Sequence, residues 1–247
     1  MGLRQFPRKR RTSIAMLSAA LFDFDGTLID TTELIHQSMR HAAKEVLDRD
    51  FPRETLLANV GQPLPRQMEL LIGDENAAGD RFAREMLETY RVHNEAHHDA
   101  LIEEFPNVAE SLARLKGAGI SIAVVTSKRR FSVDMALATF PALGEVVDHF
   151  VAMEDTAEHK PHPAPIFKGM ELLGNVPPED AAYVGDSPFD MAAAKAAGVT
   201  SVAVSWGAFT EDALRAAEPD HLVPNLDVAV DILLSLKAGG AKPDSNS

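Results

Sequence analysis

The stretch "ALFDFDGTLIDT", residues 20–31, places two carboxylates, Asp23 and Asp25, at the end of a short apolar run. Two like charges this close repel each other, so the pair is favourable only where something compensates for it. A cation bound between the carboxylates would do so. Gly26 and Thr27 follow at once, and they predict a sharp turn that exposes backbone N–H groups to an anion.

Short apolar runs alternate with helix-like segments through most of the chain. The strand-like runs cover residues 19–25, 119–127, 148–153, 181–187 and 199–207, and the helix-like segments include residues 131–139, 163–173 and 189–197. Alternation of buried strands with helices is typical of a parallel sheet with helices on both faces. The pattern therefore predicts an α/β fold with a Rossmann-like parallel sheet.

The interval 31–103 differs from the rest because it contains helix-like stretches and no good strand. We interpret it as an α-helical cap domain inserted after the first strand. The predicted organisation is a basic, disordered extension over 1–17, a core domain over 18–30 and 104–237, the cap over 31–103, and a disordered tail over 238–247.

The composition limits the classes of partner. The chain has 24 Lys and Arg residues against 37 Asp and Glu, a formal net charge of −13, which disfavours binding to nucleic acid or to an anionic membrane surface. The absence of Cys excludes disulfides and thiolate catalysis and is compatible with a cytoplasmic location. No apolar stretch approaches the roughly 20 residues that a membrane helix needs.

Several polar residues directly follow predicted strands: Asp23, Asp25, Thr126, Ser127 and Asp186. Because ligands bind beyond the carboxyl ends of the strands in an open parallel sheet, we expect these side chains to converge. The three Asp residues offer only oxygen ligands. This is the set that Mg²⁺ prefers, with substrate phosphate and water completing its coordination.

The same residue types match the needs of phosphoryl transfer. Asp23 would attack phosphorus and form an aspartyl phosphate, which splits hydrolysis into two easier displacements. Asp25 would protonate the leaving oxygen and later activate water. Thr126 would donate a hydrogen bond to a phosphoryl oxygen, and Lys160 would place positive charge where the transition state accumulates negative charge.

Four motifs occur in a fixed order: "DFDGTL" at 23–28, "VVTS" at 124–127, "HKP" at 159–161 and "GDSPFD" at 185–190. Together they resemble the four motifs of the haloacid dehalogenase superfamily of phosphohydrolases. The resemblance implies a helical cap that closes over the site. It also implies phosphate chemistry rather than dehalogenation, because the dehalogenating members lack an Asp at the position of Asp25.

The resemblance also assigns roles to individual residues. It implies Asp23 as the nucleophile, Asp25 as the acid and base, Thr126 and Lys160 as phosphate-binding residues, and Mg²⁺ bound by the side chains of Asp23 and Asp186 and the backbone carbonyl of Asp25. Asp190 would hold the water shell of the metal or orient Lys160.

Further stretches, including "YRVHNEAHHDAL" at 90–101 and "TSKRR" at 126–130, resemble bacterial inorganic pyrophosphatases of this superfamily, which are close in sequence to phosphoglycolate phosphatases. The branch-specific positions after the second strand are Ser127, Lys128 and Arg130. A pyrophosphate site needs more positive charge than a site for one phosphate, and Lys128 and Arg130 could reach the leaving phosphate. Solvated charges at the start of a helix are the alternative.

Other interpretations stay open at this point. A phosphosugar mutase would have the same core motifs, and a noncatalytic binding module would have the same fold. His93, His97 and His98 are interpreted as a solvated helix face rather than a metal site, because no third ligand is obvious and Mg²⁺ prefers oxygen. Glu33, His36 and Gln62 fit either substrate contact or the surface. The sequence does not define an oligomeric state.

Overall fold

The computed structural model describes residues 16–73 and 79–239. The strands are β1 Ala19–Phe22, β2 Ile29–Asp30, β3 Glu103–Glu104, β4 Ser121–Val125, β5 His149–Val151, β6 Ala181–Gly185, β7 Thr200–Val204 and β8 His221–Val223. The helices are α1 Thr32–Leu47, α2 Arg53–Leu57, α3 Leu64–Ile72, α4 Gly79–Leu101, α5 Val108–Gly117, α6 Arg130–Thr139, α7 Pro141–Val146, α8 Ala164–Leu172, α9 Pro188–Ala197, α10 Glu211–Ala216 and α11 Leu226–Lys237.

Six strands form one parallel sheet in the order β5-β4-β1-β6-β7-β8. The chain runs from β1 outward through β4 and β5, and then returns to the other side of β1 for β6, β7 and β8. This reversal places a topological switch point beside β1, where ligands bind in open α/β sheets. The predicted fold class, a Rossmann-like parallel sheet with an inserted helical segment, is confirmed.

The two faces of the sheet bury alternate residues of β1. Ala20 and Phe22 pack into the apolar cluster that contains residues of α5 and α11, whereas Ala19 and Leu21 pack into the cluster that contains residues of α8 and α9. Successive side chains of a strand point to opposite faces, so an uninterrupted apolar run suits a strand covered on both sides. Asp23 is the first residue after this run.

The helical insertion leaves and rejoins the core through a short antiparallel ribbon, in which Ile29 of β2 pairs with Glu104 of β3. We call the part between these strands, α1 to α4, the helical segment. It has its own apolar cluster, which includes Met39, Met68 and Met86. A separate core of this kind fits the predicted cap, although the exact domain limits stay a prediction.

Three features differ from the sequence pattern or lie beyond it. The sequence did not predict β8, because this strand has only three residues and shows no alternation. Leu17, assigned to the extension, is 3% exposed and packs in the core. The remainder of the predicted extension and most of the predicted tail lie outside the described residues. None of the described helices is both long enough and apolar enough to span a membrane.

Candidate active site

A buried ion pair lies at the carboxyl end of β1. The Nζ atom of Lys160 is 2.8 Å from Oδ1 of Asp23, and the two residues are 2% and 3% exposed. Lys160 is supplied by the loop that precedes α8, so residues far apart in sequence meet at the end of the central strand. Breaking a buried pair of this kind leaves an uncompensated charge, which is costly.

Asp190 fixes the position of Lys160. Its Oδ1 atom is 2.7 Å from Nζ of Lys160 and also accepts a hydrogen bond from the hydroxyl of Tyr183 at 3.2 Å. Its Oδ2 atom accepts bonds from the backbone N–H of Ser187 at 3.1 Å and from the hydroxyl of Ser187 at 2.5 Å. Both carboxylate oxygens are therefore engaged, in a capping box that begins α9.

The electrostatic surroundings keep Lys160 charged. Burial alone would lower its pKa, but the negative charges of Asp190 and Asp23 raise the pKa well above its ordinary value. Nζ is also 3.1 Å from the hydroxyl of Tyr183. Tyr183 carries no motif signature, and its position inside β6 hid this contact from the sequence.

Asp186 follows β6 and is held by close glycines. Its Oδ2 atom accepts a hydrogen bond from the backbone N–H of Ala208 at 2.9 Å. A Cβ atom added at Gly26 would lie 2.3 Å from this oxygen, and one added at Gly207 would lie 2.1 Å from it. Only glycine fits at these two positions, and we call the pair the glycine cradle of Asp186. Gly207 lies outside the four sequence motifs, although its position after β7 is a usable signal.

Three buried carboxylates converge: oxygens of Asp23, Asp186 and Asp190 lie within 4.8 Å of one another. Burial, with the charge of Asp190 second, raises the pKa of Asp23 to about 7. The same two causes raise the pKa of Asp186 well above its ordinary value. A bound cation would remove this cost.

The donor set fits a hard divalent cation. The oxygens of Asp190 are already bonded, so Asp23 and Asp186 are the two carboxylates that remain for a metal. Ligands made only of oxygen suit Mg²⁺ or Ca²⁺ rather than a softer metal. The glycine cradle around Asp186 leaves this carboxylate in one orientation, which favours a preformed site.

Asp25 lies on the cavity side of the turn after β1. Its Oδ1 atom accepts hydrogen bonds from the hydroxyl of Thr31 at 2.8 Å and from Nζ of Lys128 at 2.5 Å. Its charge also contributes, after burial, to the raised pKa of Tyr90 in α4. Asp25 therefore faces both the core loops and the helical segment.

Gly26 and Thr27 differ from the expectation that their N–H groups face an anion. The N–H of Gly26 donates to the carbonyl of Ile29 at 2.8 Å, and the N–H of Thr27 donates to the carbonyl of Phe24 at 3.4 Å. Both amides are used to close the turn. The structure instead gives Gly26 a role in the close approach of Asp186, and its φ of 76° favours glycine.

Most of the residues after β4 that were predicted to bind substrate do line the cavity, but not all of them. Thr126 is 4% exposed and lines the cavity described below, as do Ser127 and Lys128. The hydroxyl of Ser127 donates to the carbonyl of Gly61 at 2.7 Å, which connects this loop to the helical segment. Ser127 thus has a structural partner besides any substrate.

Arg130 is not brought to the cavity. Its guanidinium donates to Asp155 at 2.5 Å and to the carbonyl of Phe150 at 2.8 Å. The neighbouring Arg129 lines the cavity instead and forms an ion pair with Glu95 of α4 at 3.0 Å. Which of the two arginines reaches the cavity depends on the direction of each side chain at the start of α6. The sequence does not reveal this direction.

A cavity of about 90 Å³ lies between the core loops and the helical segment. Core residues that line it include Asp23, Asp25, Thr126, Lys128 and Arg129. The helical segment contributes Gln62, Gln67, Tyr90, Arg91, Asn94 and Glu95. Of the three segment residues considered from sequence, only Gln62 lines this cavity; Glu33 and His36 contact Arg53 on the outside.

The histidines of α4 do not act as one group. The rings of His93 and His97 stack with centroids 4.1 Å apart, and His93 also lies 4.7 Å from His41. His98 is 1% exposed, so it does not belong to a solvated face as expected. Over the described ranges, the three-carboxylate cluster is the group of metal-ligand type, and these histidines are not part of it.

The sequence also matches a known protein family. The model of the haloacid dehalogenase-like hydrolases matches residues 20–204. Because this match covers more than half of the chain, the protein belongs to that family. The resemblance inferred from the four motifs is thus confirmed.

Individual relatives are named as pyrophosphatases. The chain is 40% identical over 214 residues to a protein of Caldanaerobacter subterraneus provisionally named pyrophosphatase PpaX, with 85% of this chain and 91% of that protein covered. It is 36% identical over 220 residues to pyrophosphatase PpaX of Bacillus cereus, with coverages of 89% and 98%. Its structure is similar to that of a predicted phosphatase from Clostridium acetobutylicum, with a TM-score of 0.77, 26% identity and coverages of 89% and 99%.

Proposed function

We propose that this protein is a Mg²⁺-dependent phosphohydrolase that forms an aspartyl phosphate on Asp23 and has inorganic pyrophosphate as its substrate. The observation that carries the proposal is the buried Asp23–Lys160 pair, of which Asp23 lines a small cavity. A carboxylate held at a strand end, next to a fixed cation, is suited to attack a phosphorus atom bound above it.

In the first proposed step, an oxygen of Asp23 attacks one phosphorus, and the bond to the bridging oxygen breaks. Lys160 and the hydroxyl of Thr126 stabilise the charge on the transferred phosphoryl group. Asp190 keeps Lys160 in place through the 2.7 Å contact, so it acts as a positioning residue. Bound Mg²⁺, held by Asp23 and Asp186, would supply charge neutralisation for the phosphoryl oxygens.

In the second proposed step, water attacks the phosphorus of the aspartyl phosphate and frees Asp23. Asp25 first gives a proton to the leaving phosphate and then accepts one from the attacking water. Its contacts with Thr31 and Lys128 hold its carboxylate near the cavity. Tyr90 and Asn94 of the helical segment line the same cavity, and in this position they would limit the access of bulk water.

The size of the cavity favours a compact substrate. Its volume of about 90 Å³ is small beside the roughly 300–1,000 Å³ typical of sites for drug-sized ligands. Lys128 and Arg129 also line the cavity, and they are paired with Asp25 and Glu95. The names of the PpaX relatives support pyrophosphate over other compact phosphates.

The other candidates make different demands on this site. Phosphoglycolate is compact and doubly anionic, so it is the second candidate. A phosphosugar mutase would have to turn a sugar bisphosphate around inside the cavity, and the small volume disfavours this. A noncatalytic module would not need the Lys160–Asp190 arrangement, which costs desolvation energy.

The test is kcat/KM for pyrophosphate, 2-phosphoglycolate and glucose 6-phosphate, measured by phosphate release with Mg²⁺ and with chelator. We expect a clear preference for pyrophosphate and loss of turnover with chelator. Asp23→Asn should abolish turnover, whereas Asp134→Asn, at an exposed position on α6, should leave it unchanged. Preference for another substrate, or turnover by the Asp23→Asn variant, would overturn the corresponding part of the proposal.

A further inference from the structure

The helical segment carries a cation that the mechanism above does not use. Arg91 of α4 lines the cavity, and its Nε atom is buried with no hydrogen-bond partner among the described residues. Guanidinium groups carry donors in a fixed fork that must be satisfied somewhere when water is excluded. An unsatisfied buried donor in a cavity wall therefore indicates that something else completes the bond.

The charge around Arg91 is mixed. Arg129 lies close enough to contribute to lowering the pKa of Arg91, after burial, which is the first cause. The acidic residues near Arg91 are Glu88, Glu95 and Glu154, and Glu95 is already paired with Arg129 at 3.0 Å. Arg91 and Arg129 both line the cavity, so an anion bound there would meet two guanidinium groups in its wall.

The residues that line the cavity come from different elements. Asp23 and Thr126, which the proposed function assigns to the attacked phosphoryl group, line it from the loops after β1 and β4. Arg91 and Arg129 belong to the wall made by α4 and the start of α6. Arg91 is thus a cavity cation, on a separate element, that is available to a part of the substrate other than the attacked group.

We propose that Arg91, with Arg129, binds the anionic group of the substrate that lies away from the attacked phosphorus, which in pyrophosphate is the leaving phosphate. This inference rests on the proposed function and deepens it, because it assigns substrate specificity to a residue of the helical segment. The planar fork of arginine matches two oxygens of a phosphate or a carboxylate. A substrate without a second anionic group leaves the Arg91 donor unsatisfied.

The test compares three substrates that differ at the distal group: pyrophosphate, 2-phosphoglycolate and phenyl phosphate. The variants are Arg91→Gln, Arg91→Lys and the matched control Arg84→Gln, which changes an exposed arginine of the same helix. For Arg91→Gln we expect KM for pyrophosphate to rise about tenfold to a hundredfold, as the loss of a charge-assisted bond predicts. Values for phenyl phosphate should stay close to those of the unaltered protein.

Arg91→Lys keeps the charge and loses the fork, so its KM for pyrophosphate should lie between those of the unaltered protein and Arg91→Gln. Arg84→Gln should leave KM unchanged for all three substrates. Calorimetric titration of pyrophosphate into Asp23→Asn, with and without Arg91→Gln, gives a readout independent of turnover. We expect weaker binding when Arg91 is replaced.

The outcomes separate this inference from the proposed function. An equal rise in KM for all three substrates, or no rise for pyrophosphate, would overturn the role of Arg91. The proposed hydrolysis of pyrophosphate would still stand. If the unaltered protein hydrolysed 2-phosphoglycolate instead, and Arg91→Gln raised KM for it alone, the distal-anion site would be supported with a carboxylate as its occupant. The proposed substrate would then be wrong.

Discussion

The Nζ atom of Lys160 and the Oδ1 atom of Asp23 lie 2.8 Å apart with almost no exposure to solvent. The pair joins the loop before α8 to the end of the central strand. It is held from the other side by Asp190, so the charge of Lys160 is shared between two carboxylates. Stability and chemistry at this site therefore depend on the same ammonium group.

Replacement of Lys160 by Met tests this dependence. The variant leaves two buried carboxylates without their cation, so we expect a loss of about 3–5 kcal/mol in the free energy of unfolding, measured with urea. We expect kcat to fall by about 10²–10³-fold, as when a fixed transition-state donor is removed. Lys195→Met, which breaks an exposed ion pair with Glu218, is the control and should change little. Equal stability of the two variants would contradict the expectation.

The raised pKa of Asp23 predicts how cation binding varies with pH. Its pKa of about 7 exceeds the ordinary value of 3.8, so the folded metal-free protein keeps this proton longer than the unfolded chain does. The stability from Asp23 is then present below about pH 4 and is lost as the pH rises through about 7. A cation needs the deprotonated carboxylate, so its stabilising effect should increase over the same interval.

Thermal unfolding with and without Mg²⁺, at about pH 6 and about pH 8, measures this effect. We expect the increase in Tm caused by Mg²⁺ to be larger at the higher pH. Asp23→Asn should remove most of the difference between the two pH values. An equal increase in Tm at both pH values for the unaltered protein would show that the proton and the cation do not compete for Asp23.

Gly207→Ala tests the cradle of Asp186. The added Cβ atom would lie 2.1 Å from Oδ2 of Asp186, so the carboxylate must move. We expect the variant to fold, to lose most of the Tm increase caused by Mg²⁺, and to lose activity in proportion. Gly117→Ala is the matched control, because a Cβ atom at that position meets nothing within 4 Å. A normal response of Gly207→Ala to Mg²⁺ would place the cation elsewhere.

The sequence predicted which residues converge after the strands better than it predicted which residues of the helical segment line the cavity. Asp23, Thr126 and Asp186 were found because each follows an apolar run, and parallel strands bring such ends together. The place of Arg91 could not be predicted, since α4 carries many polar residues and only packing decides which of them faces the core. Likewise, adjacent Arg129 and Arg130 point to different partners, and only the former reaches the cavity.

In the fold as well, elements defined by a local pattern were predicted, whereas contacts between distant residues were not. Residues 200–204 form β7 within the predicted run, because β-branched and apolar residues dominate this stretch. The contact between Ser127 and Gly61 joins residues 66 positions apart, and no local pattern indicates it. Gly61 has a φ of 98°, and a Cβ atom there would lie 2.8 Å from the hydroxyl of Ser187. The helical segment is therefore fitted to the core by contacts that the sequence hides.

The stacked histidines predict a loss of stability in mild acid. Burial, followed by the charges of His97 and His41, lowers the pKa of His93 below its ordinary value of 6.5. The unfolded chain therefore takes up a proton at a pH at which the folded protein resists it. The stability from neutral His93 is present above about pH 6.5 and is lost as the pH falls below that value.

His93→Gln should reduce this loss, because Gln does not titrate. The measurement is the urea midpoint of unfolding at about pH 7.5 and about pH 5.5. We expect the difference between the two midpoints to be smaller in the variant than in the unaltered protein. The same difference in both proteins would mean that the histidine stack does not contribute to acid sensitivity.

The most direct test of the central claim is to trap the phosphoryl group on Asp23. The protein would be mixed with pyrophosphate and Mg²⁺, quenched within one turnover, treated with borohydride to reduce the acyl phosphate, and digested for mass spectrometry. We expect the peptide that contains residues 20–31 to carry homoserine at position 23, and no such product in Asp23→Asn. Rapid pyrophosphate turnover with Asp23 unmodified throughout would show that water attacks phosphorus directly, and would contradict the role of Asp23 as nucleophile.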